Sequence, residues 1–112
     1  MDGYILTYTT TNAIDITSIN NKLFGRVIKI KRNNNIFLYY YKGILDNILY
    51  YKISNGSYFI PINNNNLEIL NTIINIRIRT ATIELNDSEL YTARQYHQRM
   101  FDGKMVKNLW LI

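Results

Sequence analysis

Ten of the basic and aromatic side chains in this sequence are spaced as a face that holds a nucleic-acid strand requires: Lys29, Lys31, Phe37, Tyr39, Tyr41, Tyr50, Lys52, Phe59, Arg77 and Arg79. Aromatic rings stack on unpaired bases while cations neutralise phosphates, and each stacked base contributes roughly 1–3 kcal/mol. All but the two arginines fall in the stretch 26–62, RVIKIKRNNNIFLYYYKGILDNILYYKISNGSYFIPI, where β-prone runs alternate with Asn, Asp and Gly. That punctuation predicts a meander of hairpins. Asn55-Gly56 is the strongest turn signal, because a type I′ turn needs positive φ at both central residues. Asp46-Asn47 suits the same role, and Asn33-Asn34-Asn35 reads as a three-residue loop.

With those turns, opposed residues share a face and successive residues alternate. One face collects Ile28, Ile30, Ile36, Leu38, Tyr40, Ile44, Leu49, Tyr51, Ile53, Tyr58, Ile60 and Ile62, and reads as core. The other collects Lys29, Lys31, Phe37, Tyr39, Tyr41, Tyr50, Lys52 and Phe59, a basic-aromatic surface. Arg77 and Arg79 join it if the isoleucines around them join the aliphatic face. A slip of one residue in any turn exchanges the two sets.

Other chemistries find less support. His97 is the only histidine and lies on an apolar helical stripe, with no G-x-S-x-G elbow to supply a nucleophile. Glu84, Asp87 and Glu89 form a small acidic cluster of the kind that holds Mg²⁺, but Asp87 and Glu89 equally suit a helix start. Arg94, Gln95, Gln98 and Arg99 read as a solvated helix face. The phosphate-binding, dinucleotide-binding and zinc signatures are missing, as is the spacing of an RNA-recognition motif. The sequence therefore predicts a protein that is not an enzyme and has no catalytic residue, metal ligand or cofactor.

Composition frames these expectations. The 112 residues suit one domain spanning the whole chain, 1–112. A net charge of +5 and a pI near 9.5 meet the electrostatic condition for a polyanionic partner. The absence of cysteine removes disulfides and thiolate chemistry. The Ile, Asn and Tyr bias resembles AT-rich coding, as in a virus or mobile element. No apolar run reaches the roughly 18 residues of a membrane span, and no leader pattern opens the chain. The expected location is cytoplasmic, in the host cytoplasm for a viral protein.

The elements that position the ten residues follow in order. Tyr4–Thr10 reads as a strand. Asn12 or Asp15 then caps a short helix with Ile16, Ile19 and Leu23 on its stripe and Gly25 beyond its end. After the four meander strands come a polar loop at Asn63–Asn66, a helical turn at Leu67–Thr72 and a strand over Ile74–Leu85. That strand shifts its apolar phase, predicting a bulge near Arg79-Thr80. Asn86-Asp-Ser-Glu89 reads as a capping box starting a helix that runs to Phe101, with Leu90, Ala93, His97 and Met100 inward. Met105–Ile112 forms a last strand or docked tail anchored by Trp110.

The expected architecture is α+β: an antiparallel meander sheet of five to seven strands, packed by the N-terminal short helix and the C-terminal helix. It is ferredoxin-like or, alternatively, a small SH3-like or Sm-like barrel. The expected function is nucleic-acid binding, with single strands favoured, through the Tyr/Lys face. The alternative is a homodimeric interaction module using that same face.

Overall fold

The computed structural model describes residues 1–62 and 66–100. Its central strand is β1 (Asp2–Tyr8), which lies between β5 (Ser57–Pro61) and β6 (Ile76–Thr82), with β4 (Tyr51–Ser54) outside β5. All these pairs are antiparallel. Alternation along β1 sets Leu6 opposite Tyr58 and Ile78 on one face, and Ile5 opposite Phe59 and Arg79 on the other. Gly3 permits the second face to close, since a Cβ there would strike the Ile60 carbonyl and the Phe59 ring.

The helices cover the first face. Asn12 caps α1 (Ala13–Phe24), its Oδ1 accepting from the Ile14 and Asp15 amides at 2.9 and 3.3 Å, and Gly25 follows at φ 71°. Ile19 and Leu23 pack onto Leu6, Tyr58 and Ile60, and the cluster is completed by Leu45, Leu70 and Ala93. Leu70 belongs to α2 (Asn66–Leu70) and Ala93 opens α3 (Ala93–Met100). Each fully buried aliphatic side chain contributes about 1.5–3 kcal/mol, which holds an Asn-rich helix of weak propensity in place. The α+β class with antiparallel sheets and helices near both ends is thus the architecture of the chain.

The meander divides into two sheets. β2 (Arg26–Arg32) and β3 (Asn35–Tyr41) form a separate ribbon. Its turn is two residues long, not three: Asn33 and Asn34 take φ 50° and 65°, the type I′ pattern expected at Asn55-Gly56. Ile28 therefore opposes Tyr39, Lys29 opposes Leu38 and Ile30 opposes Phe37, one residue from the expected register. At Asn55-Gly56 only the glycine has positive φ, 80°. Such a turn splays the strands, and a bulge between Lys52 and Ser54 sets Lys52 opposite Tyr58.

The expected hairpin at Asp46-Asn47 is absent. A 3₁₀ turn, Ile44–Asn47, follows β3 and carries the chain to the other sheet. Gly43 and Gly25 touch there, and a Cβ on either would meet the backbone of the other's segment. Asp46 is buried, accepting a hydrogen bond from the Tyr40 hydroxyl at 2.9 Å and pairing with Arg94 at 2.9 Å. Of the expected core face, Leu38, Tyr40, Tyr58 and Ile60 are buried, whereas Ile36, Leu49, Ile53 and Ile62 are exposed.

Two further expectations change. β6 keeps one register along β1 from Asp2 opposite Thr82 to Tyr8 opposite Ile76, without a bulge at Arg79-Thr80; Ala81 simply lies on the arginine face. The helix expected from Asn86 is broken: Asp87–Glu89 is a 3₁₀ turn, with the Glu89 carboxylate accepting the Asn86 amide at 2.9 Å. Tyr91 then bridges to Tyr50, and α3 starts at a second box in which Thr92 and Gln95 cap each other at 2.9 and 3.2 Å. The end of that helix at Phe101, the Trp110 tail and the loop residues 63–65 lie outside the described residues. Among the described residues no helix is long and apolar enough to cross a membrane.

Arg94→Ala leaves the Asp46 carboxylate buried without its countercharge and should cost about 1–3 kcal/mol, the penalty for an unsatisfied buried acceptor. The loss stays below that of a fully buried pair because the Arg94 side chain is 38% exposed. Urea denaturation reads it as a lower midpoint, and Arg94→Lys, lacking the forked guanidinium, should restore only part.

Candidate nucleic-acid interface

The structure disperses the ten expected residues over both faces of the ribbon and both sides of the larger sheet. Lys29 and Lys31 are exposed on the ribbon, but the corrected register puts them on the face of Val27, Leu38 and Tyr40. Phe37, Tyr39 and Tyr41 occupy the opposite ribbon face with Ile28 and Ile30, and Tyr39 is only 6% exposed. Tyr50 and Phe59, at 3% and 0%, are buried in the body. Arg77 and Arg79 are exposed on the β6 face away from the helices. Lys52 is exposed beside a cavity on the helix-bearing side. The single basic-aromatic face does not form, because one missing loop residue and one bulge each invert part of it.

What forms instead is a basic ribbon. Arg26, Lys29, Lys31 and Arg32 are exposed along β2, and exposed Lys42 follows β3. No carboxylate occurs between Ile16 and Leu45 in the sequence, so nothing within the ribbon neutralises them. Leu38, Tyr39 and Tyr40 anchor the base, while 31–36 are exposed and, among the described elements, β2 and β3 pack chiefly against each other. Arg26 lies over the Tyr41 ring at 5.3 Å. At the base a shallow polar depression is lined by Lys22, Arg26 and Lys42 with Thr17, Ser18 and Asn21. Arg26, Arg32 and Lys42 were not among the expected residues; the long acid-free interval was the signal for them.

On the helix-bearing side of the larger sheet, Tyr8, Phe24, Tyr50, Tyr58, Tyr91 and Tyr96 line a cavity of about 470 Å³ with Asn20, Asn55 and Lys52. Phe24 and Tyr58 have ring centroids 4.8 Å apart, and Tyr50 and Tyr91 4.9 Å. The Tyr8 hydroxyl donates to Asn20 Oδ1. Burial, above all, raises the phenol pKa values of Tyr8, Tyr50 and Tyr91, so these rings remain neutral. Tyr50 and Lys52 reach this cavity from the expected set. The other rings come from segments distant in the sequence, which no local pattern joins.

His97 has a structural position. Its Nε2 is 2.9 Å from the Phe24 carbonyl, to which it donates, and its ring packs on Tyr40 at 5.0 Å. Burial lowers its pKa, opposed by the Phe24 hydrogen bond and the Asp46 charge. Among the described residues no group of three His, Cys, Asp or Glu side chains is placed to hold a metal ion. The chain matches no protein-family model, no curated protein and no solved structure.

Two titrations follow. A histidine with a depressed native pKa binds fewer protons when folded than when unfolded, so its contribution is complete above the unfolded value near 6.5 and is lost as pH falls below it. The melting temperature should drop between pH 7 and 5.5, and His97→Gln should flatten that drop. Raised phenol values act in the opposite direction. The stability that Tyr8, Tyr40 and Tyr50 supply is complete below pH 10 and lost above it. Ultraviolet titration should show these phenols ionising only with alkaline unfolding.

Proposed function

We propose that the protein is a small, non-enzymatic nucleic-acid-binding protein whose contact element is the β2–β3 ribbon. The observation that carries this reading is the exposed, acid-free row Arg26, Lys29, Lys31, Arg32 and Lys42. Its distribution favours one mode of contact. Lys29 and Lys31 project from one ribbon face and Arg26 and Arg32 from the other. A surface laid along a single strand needs cations on one face only, whereas a ribbon inserted in a groove meets phosphates on both sides. Two strands about 4.8 Å apart and about 20 Å long fit a major groove about 12 Å wide. Double-stranded DNA is therefore the favoured form, in place of the single strand expected from the sequence. Lys22 and Lys42 at the ribbon base extend the cationic track toward the flanking backbone.

The homodimer alternative draws less from the geometry. Of the rings it relied on, Tyr39, Tyr50 and Phe59 are already buried within the chain, which leaves only Phe37 and Tyr41 partly open to a second copy.

Fluorescence anisotropy with labelled duplex and single-stranded oligonucleotides tests the reading. Contact through five cations gives a slope of log affinity against log salt of about −4.5, and Lys29→Glu/Lys31→Glu should weaken binding and reduce that slope by about 2. Unchanged binding by the folded double variant would remove the ribbon from the interface.

A further inference from the structure

The tyrosine-lined cavity shares no residue with the cationic row of the ribbon and presents a different chemistry. Its lining comes from the end of β1, from α1, from the Tyr50–Tyr91 bridge, from the β4–β5 hairpin and from α3. A volume of about 470 Å³ lies within the range of small-molecule sites. Tyr96, 42% exposed, stands at its mouth, stacked at 23° to Tyr91.

The lining discriminates among occupants. Rings grouped in this way attract quaternary ammonium ions. Here, however, Lys52 lines the cavity, Arg99 lies 6.0 Å from the centroid of the Tyr91 ring, and among the described residues no carboxylate lines it, which disfavours a cation. An aliphatic occupant would cover the amide of Asn55 and the neutral phenols without giving them hydrogen bonds. A flat heteroaromatic ring satisfies both the π-faces and the polar edges, and an attached anion satisfies Lys52. We infer that the cavity binds a nucleotide, free or at the unpaired end of a strand, with the base among the tyrosine rings and the phosphate at Lys52.

Calorimetric titration of the full chain with AMP, CMP, adenosine and inorganic phosphate tests this, alongside NMR observation of the tyrosine rings. Both nucleotides should bind with Kd values of about 1 mM or tighter, adenosine more weakly, and phosphate alone not measurably. Tyr96→Ala and Lys52→Glu alter exposed side chains and should each weaken nucleotide binding at least about fivefold, the low end of one stacked ring. Lys29→Glu/Lys31→Glu should leave it unchanged, so failure of the ribbon reading and failure of this one are separable. Competition by a short single-stranded oligonucleotide assigns the site to a strand end, and lack of competition assigns it to the free nucleotide. No saturable binding at millimolar nucleotide overturns the inference. So does binding that both variants retain, or ring shifts that spare Tyr91 and Tyr96.

Discussion

The placement of both candidate surfaces depends on the carboxylate of Asp46. It sits where the chain leaves the ribbon, accepting from Tyr40 at the end of β3 and from Arg94 on α3. Tyr40 and His97 both reach the Phe24 carbonyl at the end of α1, at 3.4 and 2.9 Å. One buried charge thus ties ribbon, first helix and last described helix together. Removing a carboxylate from water costs several kcal/mol, and only close, directional partners offset it. An apolar cluster of equal volume would match the energy without dictating direction. The direction matters because it orients α3, and α3 carries Tyr96 to the mouth of the cavity.

The division into two sheets separates two kinds of surface. The ribbon offers long, solvated cations with no carboxylate on either of its strands, suited to a partner recognised by its field. The cavity offers desolvated rings held neutral by burial, suited to a partner recognised by its shape. Lys52 belongs to the second group although it resembles the first, because the bulge between Lys52 and Ser54 turns it onto the face of Tyr58.

Local signals were legible in the sequence wherever a single residue type decides the backbone. Asn12 and Gly25 marked both ends of α1, and the isoleucine–arginine alternation marked β6. The errors lie where neighbouring residues are interchangeable or partners are remote. Asn33, Asn34 and Asn35 are chemically identical, so nothing local chooses a two- or three-residue loop, yet the choice decides whether Lys29 faces Leu38 or Tyr39. Asp46-Asn47 has the composition of a hairpin turn, but its fate is set by Arg94 far along the chain. Tyr91 and Tyr96 looked like parts of one helix; the Thr92–Gln95 box interrupts it and frees Tyr91 to pair with Tyr50.

The place of β1 in the sheet also bears on how the molecule is made. Of the described strands it is translated first, yet its neighbours are β5 and β6, so both of its edges wait for chain that follows much later. Closing such long loops before any pairing is gained slows folding and leaves Leu6 and the Ile5 side of the strand unprotected meanwhile. The pairing of β2 with β3, closed by two asparagines, is local and forms on the microsecond scale of a hairpin, whereas its anchoring through Tyr40 and Asp46 waits for Arg94. The charge repulsion of the β2 row is therefore in place while the edges of β1 still await their partners, which guards that strand against wrong pairing.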